Sequence, residues 1–194
     1  MPDYSLIDAN DSIFLIIDVQ DNFTSKLAER QAKEMVERIA WLAVVAGWLQ
    51  IPVVVTVEDM PKAGGPSALI HNALPHGTPI FNKVVFGLAG QPDILEAVES
   101  QGKRTAVLVG LETDVCIMQS ALGLLALRYH VVVVSDATCS PGESHANGLS
   151  RMRDAGVTIS DTKGLFYEWV RTLEKARQFH RENASVRVPE GLEL

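Results

Sequence analysis

The chain has 194 residues and a formal net charge of −7 at neutral pH. Nucleic-acid binding needs a basic surface, so this acidic balance argues against nucleic acid as a partner. Hydrophobic residues make up 47% of the chain, which is typical of a compact globular protein and suits a single domain over residues 1–194.

The two cysteines, Cys116 and Cys139, are too few for a disulfide framework. This usage is typical of a reducing compartment. Residues 1–11 lack the basic cluster and the long apolar run of a secretory signal. Because the apolar runs elsewhere are shorter than a membrane span, we expect a cytoplasmic protein with no membrane partner.

Short apolar runs alternate along the chain with longer segments of helical periodicity. Strands are predicted at 12–18, 51–57, 80–83, 105–110, 131–137 and 157–160. Helices are predicted at 29–50, 91–102, 114–130, 142–156 and from 165 to about 183, with a loop over 58–79 and a loose arm over 184–194. Strands that are apolar throughout are buried on both faces. The alternation therefore predicts an α/β fold, a three-layer α/β/α sandwich with a mainly parallel sheet.

The predicted closing helix carries more apolar residues than a single buried stripe requires. They are Leu165, Phe166, Trp169, Val170 and Leu173. Apolar side chains on a second helix face need cover from another surface. We therefore expect the chain to form a homo-oligomer.

Polar side chains stand where several predicted strands end. Asp18 ends the first strand, Glu58 and Asp59 follow the second, Lys83 ends the third, and Cys116 follows the fourth. Ligands of open parallel sheets bind at the carboxyl ends of the strands. We select Asp18, Lys83 and Cys116 as candidate catalytic residues that take a small-molecule substrate.

Cys116 is predicted to lie in the first turn of a helix, where the positive helix end and a nearby Lys83 would stabilise a thiolate. Asp18 could accept the thiol proton as a general base and return it to the leaving group. A carboxylate also disfavours a thiolate, so the pKa of the thiol falls only if Lys83 lies nearer to the sulfur than Asp18 does. On that condition we expect Cys116 to react with alkylating reagents at unusually low pH, while Cys139 stays inert. The alternative is that Cys116 is a buried structural cysteine.

The histidines show no metal-ligand spacing. His71 and His76 lie five residues apart in the predicted loop, and His130 and His145 are isolated. The segment VEDMPKAGG (57–65) after the second strand contains no histidine. We predict an enzyme without a metal ion or cofactor.

Three segments resemble the isochorismatase-like cysteine hydrolases, which include nicotinamidases, N-carbamoylsarcosine amidases, ureidoacrylate amidohydrolases and isochorismatases. The segments are FLIIDVQDNF (14–23), IFNKVVFG (80–87) and LVGLETDVCIMQSALGLLALRYHVVVVSDATCS (108–140). The resemblance implies that Cys116 attacks the substrate, Asp18 acts as general acid and base, and Lys83 supports the thiolate. It also implies a cis peptide at Leu111–Glu112.

The same resemblance implies an oxyanion-binding loop formed by Leu111, Glu112 and the backbone N–H of Cys116. Glu112 places an acid beside that loop, which makes an anionic substrate less suitable. Phe23 and Phe86 are candidate residues of the substrate pocket, together with the loop at 58–79.

Two departures from relatives narrow the expected chemistry. Nicotinamidases carry an Asp-x-His metal cluster after the second strand, where this chain has no histidine. Isochorismatases proper lack the cysteine and cleave a vinyl ether, whereas this chain has Cys116. Retention of Cys116 favours a cysteine hydrolase that acts on a small amide, carbamoyl or ureido compound through a thioester. The alternatives are a vinyl-ether hydrolase that uses Asp18 alone, and a non-catalytic, redox-responsive protein in which Cys116 is only oxidisable.

Overall fold

The computed structural model describes residues 6–193. Residues 1–5, part of the segment assessed for a signal, and Leu194, the last residue of the predicted domain, lie outside the described residues. The described part contains a sheet of six parallel strands. They are β1 (Ser12–Ile17), β2 (Val53–Glu58), β3 (Ile80–Lys83), β4 (Thr105–Leu111), β5 (His130–Cys139) and β6 (Thr158–Ser160).

The strand order, β3-β2-β1-β4-β5-β6, places the first strand inside the sheet. At the carboxyl end of β1, Ile17 is in register with Thr56 of β2 on one side and with Gly110 of β4 on the other. On the next pair, Glu58 of β2 is in register with Lys83 of β3. The carboxyl ends of four neighbouring strands therefore lie side by side along one edge of the sheet.

Helices cover both faces of this sheet. They are α1 (Asp21–Thr24), α2 (Glu29–Trp48), α3 (Met60–Ala63), α4 (Ala68–Ala73), α5 (Pro92–Glu99), α6 (Met118–Ala126), α7 (Ser144–Asp154), α8 (Thr162–Val170) and α9 (Leu173–Glu182). Within residues 6–193, none of the helices has the length and apolar character needed to cross a bilayer.

The core is divided into two clusters by the alternation of side chains along each strand. In β1, Phe14 and Ile16 pack into the cluster that contains Trp41 and Phe166. Ile13, Leu15 and Ile17 pack into the other cluster, which contains Cys116. A sheet with one apolar core on each face confirms the predicted three-layer α/β/α sandwich.

The predicted loop over 58–79 and the predicted helix over 114–130 differ from the structure. The loop contains the two short helices α3 and α4. The long helix begins instead with one π-helical turn, Thr113–Ile117, and α6 ends at Ala126. Arg128, which has a φ of 70°, takes the left-handed conformation that stops the helix before residue 130.

The single closing helix predicted over 165–183 is wrong, because the chain forms α8 and α9 there. Arg171 has a φ of 65°, and the side chain of Thr172 accepts a hydrogen bond from the Lys175 N–H at 3.2 Å, which begins a new helix. The predicted loose arm over 184–194 is also wrong for its described part. Val186 and Leu192 pack against the core, and the Lys33 ammonium lies 3.5 Å from the Glu190 carboxylate.

Most of the apolar side chains of the closing segment are covered within a single chain. Leu165, Phe166, Trp169 and Val170 are all buried in this chain's own core, and Leu173 alone of the five is 72% exposed. The break between α8 and α9 turns these side chains inward, so they give no support to the self-association expected from the helix face.

Gly110 provides a test of how closely β4 and β1 approach. Its φ is 121°, and a Cβ atom there would lie 1.9 Å from the carbonyl oxygen of Ile17. We expect Gly110→Ala to lower the free energy of unfolding by roughly 3–5 kcal/mol, because strain and overpacking add. Gly65→Ala is the control, since a Cβ atom at that position would have no neighbour within 4 Å. Urea denaturation of the two variants measures the difference, and equal stabilities would contradict this account of the strand contact.

Candidate active site

Asp18 follows β1 in the left-handed conformation, with a φ of 53°. Its N–H donates to the Thr56 carbonyl at 3.0 Å, which ties the turn to the neighbouring strand. The side chain is fully buried, and its Oδ1 accepts a hydrogen bond from the Thr56 hydroxyl at 2.9 Å. The other oxygen, Oδ2, lies 2.9 Å from Lys83 Nζ. Both ends of the carboxylate are therefore held in place.

Lys83 is the last residue of β3, and its side chain is fully buried. In addition to Asp18, its ammonium contacts the carbonyl oxygen of Val85 at 2.7 Å and the Sγ atom of Cys116 at 3.6 Å. A buried ammonium requires such partners, because an isolated charge loses its hydration without compensation. The predicted proximity of Asp18, Lys83 and Cys116 is thus present in the structure.

Cys116 lies in the π-helical turn that follows β4 and is buried. Its thiol donates to Oε2 of Glu58 at 3.6 Å, and a carboxylate oxygen of Asp18 lies within 4.8 Å of the sulfur. Glu58 also approaches Lys83 Nζ, at 3.8 Å. The site therefore contains a second carboxylate beside the three residues that the sequence singled out.

The electrostatic environment of Cys116 differs from the sequence-based expectation. Burial raises the pKa of the thiol well above its ordinary value, and the nearby Asp18 carboxylate raises it further, against the opposing effect of Lys83. The ammonium lies 2.9 Å from Asp18 and 3.6 Å from the sulfur. These effects act against the low thiol pKa expected from the sequence and favour the protonated thiol.

Asp18 has an environment that suits proton acceptance. Burial raises the pKa of its carboxyl group, while the Lys83 ammonium and the hydroxyl of Thr56 act in the opposite direction. A carboxyl group with a raised pKa is a stronger base when ionised than an ordinary carboxylate is. The pair can accordingly exchange one proton between sulfur and oxygen without a change in total charge.

Asp18, Glu58 and Cys116 form a group of possible metal ligands, with one ligand atom of each within 4.8 Å of the others. The Lys83 ammonium lies within 3.8 Å of all three side chains. It already supplies the positive charge that the acidic group requires, and a metal ion would have to displace it. The donor set is therefore a poor fit to a resident divalent ion.

The loop before Cys116 contains Leu111 and Glu112, the two residues predicted to help form the oxyanion-binding loop. The peptide bond between Leu111 and Glu112 is cis. The Glu112 carboxylate lies 3.1 Å from the ammonium of Lys26, and both side chains are partly exposed. The charge of Glu112 is balanced by this contact, whereas Glu58 directly faces the thiol.

The two candidate pocket aromatics occupy different environments. Phe23 packs against the core, with the Lys26 ammonium 4.3 Å from the centre of its ring. Phe86 is 55% exposed, three residues after Lys83. Their contribution to a substrate pocket stays a prediction.

A chain of hydroxyl groups supports the turn that carries Cys116. The Thr138 hydroxyl donates to the Gly110 carbonyl at 2.7 Å and lies 3.0 Å from the hydroxyl of Thr113. Thr113 in turn contacts Nδ1 of His145 at 2.9 Å. This network joins the end of β4 to β5 and α7, and sequence spacing alone gave no sign of it.

Comparison with known proteins identifies relatives of the whole chain. The isochorismatase domain model matches residues 12–164. Isochorismatase domain-containing protein 2 from Bos taurus is 31% identical over 82% of this chain and 75% of its own length.

Two solved structures have the same fold. The MAR1 ribonuclease from Caenorhabditis elegans has a TM-score of 0.84 at 23% identity, covering 98% of each chain. The YcaC gene product from Escherichia coli, described as an octameric hydrolase of unknown specificity, has a TM-score of 0.83 at 22% identity, covering 95% of this chain and 94% of its own.

The family model spans all four strand ends that carry the acidic side chains, the lysine and the cysteine. The chain belongs to the isochorismatase domain family.

Proposed function

We propose that the protein is a cysteine hydrolase that acts on a small amide, carbamoyl or ureido compound. The observation that supports this most strongly is the buried contact of a thiol, an ammonium and a carboxylate within one cluster. A nucleophile beside a base that a third group orients is the arrangement required for covalent catalysis.

In the proposed reaction, the Cys116 sulfur attacks the carbonyl carbon while its proton passes to the carboxylate of Asp18. Backbone N–H groups at the start of the π-helical turn, including that of Cys116, stabilise the resulting oxyanion. Asp18 then gives the proton to the departing nitrogen, and the C–N bond breaks to leave a thioester. Water attacks the thioester with Asp18 as base, which releases the acid and restores the thiol.

Lys83 supports both stages through its position. Its ammonium lies close to the carboxylate oxygen and to the sulfur, so it stabilises negative charge on either atom. Proton transfer from Cys116 to Asp18 therefore moves charge within the reach of one fixed cation. Because this ammonium supplies the positive charge, the proposed chemistry uses no metal ion or cofactor.

The charge of the cluster supports a small uncharged substrate over a polyanion. Lys83 contributes one positive charge, Glu58 one negative charge, and the thiol–Asp18 pair shares a second negative charge. This balance, together with the net charge of −7, opposes RNA or DNA as a substrate. A reducing cytoplasm would keep the free thiol of Cys116 available.

The protonation of Cys116 can be measured directly. In a Cys139→Ala background, we expect the rate of iodoacetamide labelling to rise only above the ordinary cysteine pKa of ~8.5. Asp18→Asn should lower the apparent pKa because a negative charge is removed, and Lys83→Met should raise it further. Mass spectrometry of the labelled peptide across a pH series gives these values. A labelling rate that reaches its plateau below pH ~7 would contradict the raised thiol pKa.

Hydrolysis can be tested with a panel of small amides and ureido compounds, with ammonia release as the readout. We expect Cys116→Ala to lower kcat by at least about 10³-fold, because the nucleophile is lost. Asp18→Asn should stop turnover while Cys116 can still be alkylated. Cys139→Ala, the matched cysteine control, should retain activity. Near-full activity of Cys116→Ala would instead favour a mechanism that uses Asp18 without the thiol.

We also propose that the chain forms a homo-oligomer, as the YcaC gene product does. Val84 and Phe86, on the segment after Lys83, are 72% and 55% exposed, and burial in an interface would cover them. Light scattering at micromolar concentration is expected to give a multiple of the 21.1 kDa chain mass. Val84→Ser combined with Phe86→Ser should reduce that mass. A monomer mass for the unmodified protein would refute the proposal.

A further inference from the structure

Glu58 differs from the other charged groups of the cluster in its exposure. The side chains of Asp18 and Lys83 are fully buried, whereas that of Glu58 is 29% exposed. Its carboxylate therefore stands on the solvent-facing side of the cluster while its Oε2 lies 3.6 Å from the attacking sulfur. Glu58 is thus the one charged side chain among these three that solvent reaches.

The backbone of Glu58 is fixed by the buried carboxamide of Gln20. Its Oε1 accepts a hydrogen bond from the Glu58 N–H at 2.7 Å, and its Nε2 donates to the Glu58 carbonyl at 3.0 Å. The same Nε2 donates to the Gly64 carbonyl at 2.8 Å. Gln20 therefore fixes the strand end from which the Glu58 side chain extends toward Cys116.

The charge of Glu58 is only partly compensated. Its nearest cation, Lys83, lies at 3.8 Å and makes a shorter contact with Asp18, at 2.9 Å. The Glu112 carboxylate, next to the cis peptide bond, is instead paired with the Lys26 ammonium. Glu58 thus keeps hydrogen-bond acceptor capacity that N–H groups of a substrate can use.

We propose that Glu58 is the specificity-determining residue of the site: it accepts hydrogen bonds from substrate N–H groups and selects neutral or cationic amide, carbamoyl or ureido compounds over those that carry a carboxylate. This rests on the proposed hydrolysis at Cys116. An anionic substrate group would face a carboxylate that lacks a full counter-charge, and a ureido or carbamoyl N–H group would satisfy it. The Glu58 charge also raises the pKa of the thiol, so its engagement by the substrate favours thiolate formation when the carbonyl is in place.

The test uses alkylating probes that differ in charge, because they report on Glu58 without any turnover. The probes are iodoacetamide, iodoacetate and 2-bromoethylammonium, each normalised to its rate with 2-mercaptoethanol. In a Cys139→Ala background, the ratio of two probe rates within one variant cancels the fraction of thiolate. We expect the iodoacetate-to-iodoacetamide ratio to rise about tenfold in Glu58→Gln, and the 2-bromoethylammonium preference to fall.

Two variants control for charge and folding. Glu58→Asp retains the carboxylate and should keep the discrimination against iodoacetate. Glu96→Gln removes an exposed carboxylate on α5, away from the cluster, and should leave all three ratios unchanged. Circular dichroism checks that each variant is folded. Equal probe ratios in Glu58→Gln and the unmodified protein would overturn the proposal.

A substrate pair separates this proposal from the proposed hydrolysis itself. Succinamate carries a carboxylate in place of one of the two amides of succinamide. We expect the unmodified protein to have the higher kcat/KM for succinamide, and Glu58→Gln to narrow this difference, mainly by lowering the KM for succinamate. If no amide is hydrolysed while the probe ratios shift as expected, the proposed function fails and the charge selection by Glu58 stands. If amides are hydrolysed while the probe ratios stay the same, the Glu58 proposal fails alone.

Discussion

The contacts of the Lys83 ammonium hold the site together. This charge is fully buried, and it contacts Asp18 at 2.9 Å, the Val85 carbonyl at 2.7 Å and the Cys116 sulfur at 3.6 Å. Removing one partner of a buried ion pair typically costs about 3–5 kcal/mol, because the remaining charge lacks compensation. Lys83 therefore links the ends of β3 and β1 to the turn after β4, and assembly of the site is coupled to packing of the sheet.

This arrangement favours chemistry in which a proton moves but the total charge does not change. When the proton passes from Cys116 to Asp18, one negative charge shifts from oxygen to sulfur beside the same cation. Burial raises the pKa of both groups, so neither the thiolate nor the carboxylate is strongly preferred by desolvation alone. The thiol can stay protonated at rest and still lose its proton when a carbonyl carbon is in position to be attacked.

The sheet and the positions of the main site residues could be predicted because they depend on simple patterns. Uniformly apolar strands alternating with helices indicate a parallel sheet, and Asp18, Lys83 and Cys116 stand at strand ends. The closing helix was harder, since the break depends on the left-handed conformation of Arg171 and the capping hydroxyl of Thr172. Without that break, residues that face the chain's own core resembled an exposed stripe.

The electrostatics of the site could not be derived from residue order. The sequence shows Glu58 as a polar residue at the end of a strand. Its approach to the sulfur depends on side-chain packing and on the hydrogen bonds between the Gln20 carboxamide and the Glu58 backbone. The direction of the Cys116 pKa shift depends on burial depth and on whether the Lys83 ammonium or the Asp18 carboxylate lies nearer to the sulfur. Both are properties of the assembled site.

The most direct test of covalent catalysis is the intact mass of the protein, quenched in acid during a single turnover of the amide that releases ammonia fastest. We expect an added acyl group on Cys116, absent in Cys116→Ala and in protein already alkylated with iodoacetamide. Undiminished hydrolysis by the alkylated protein would contradict covalent catalysis, because the sulfur would then be unavailable for attack.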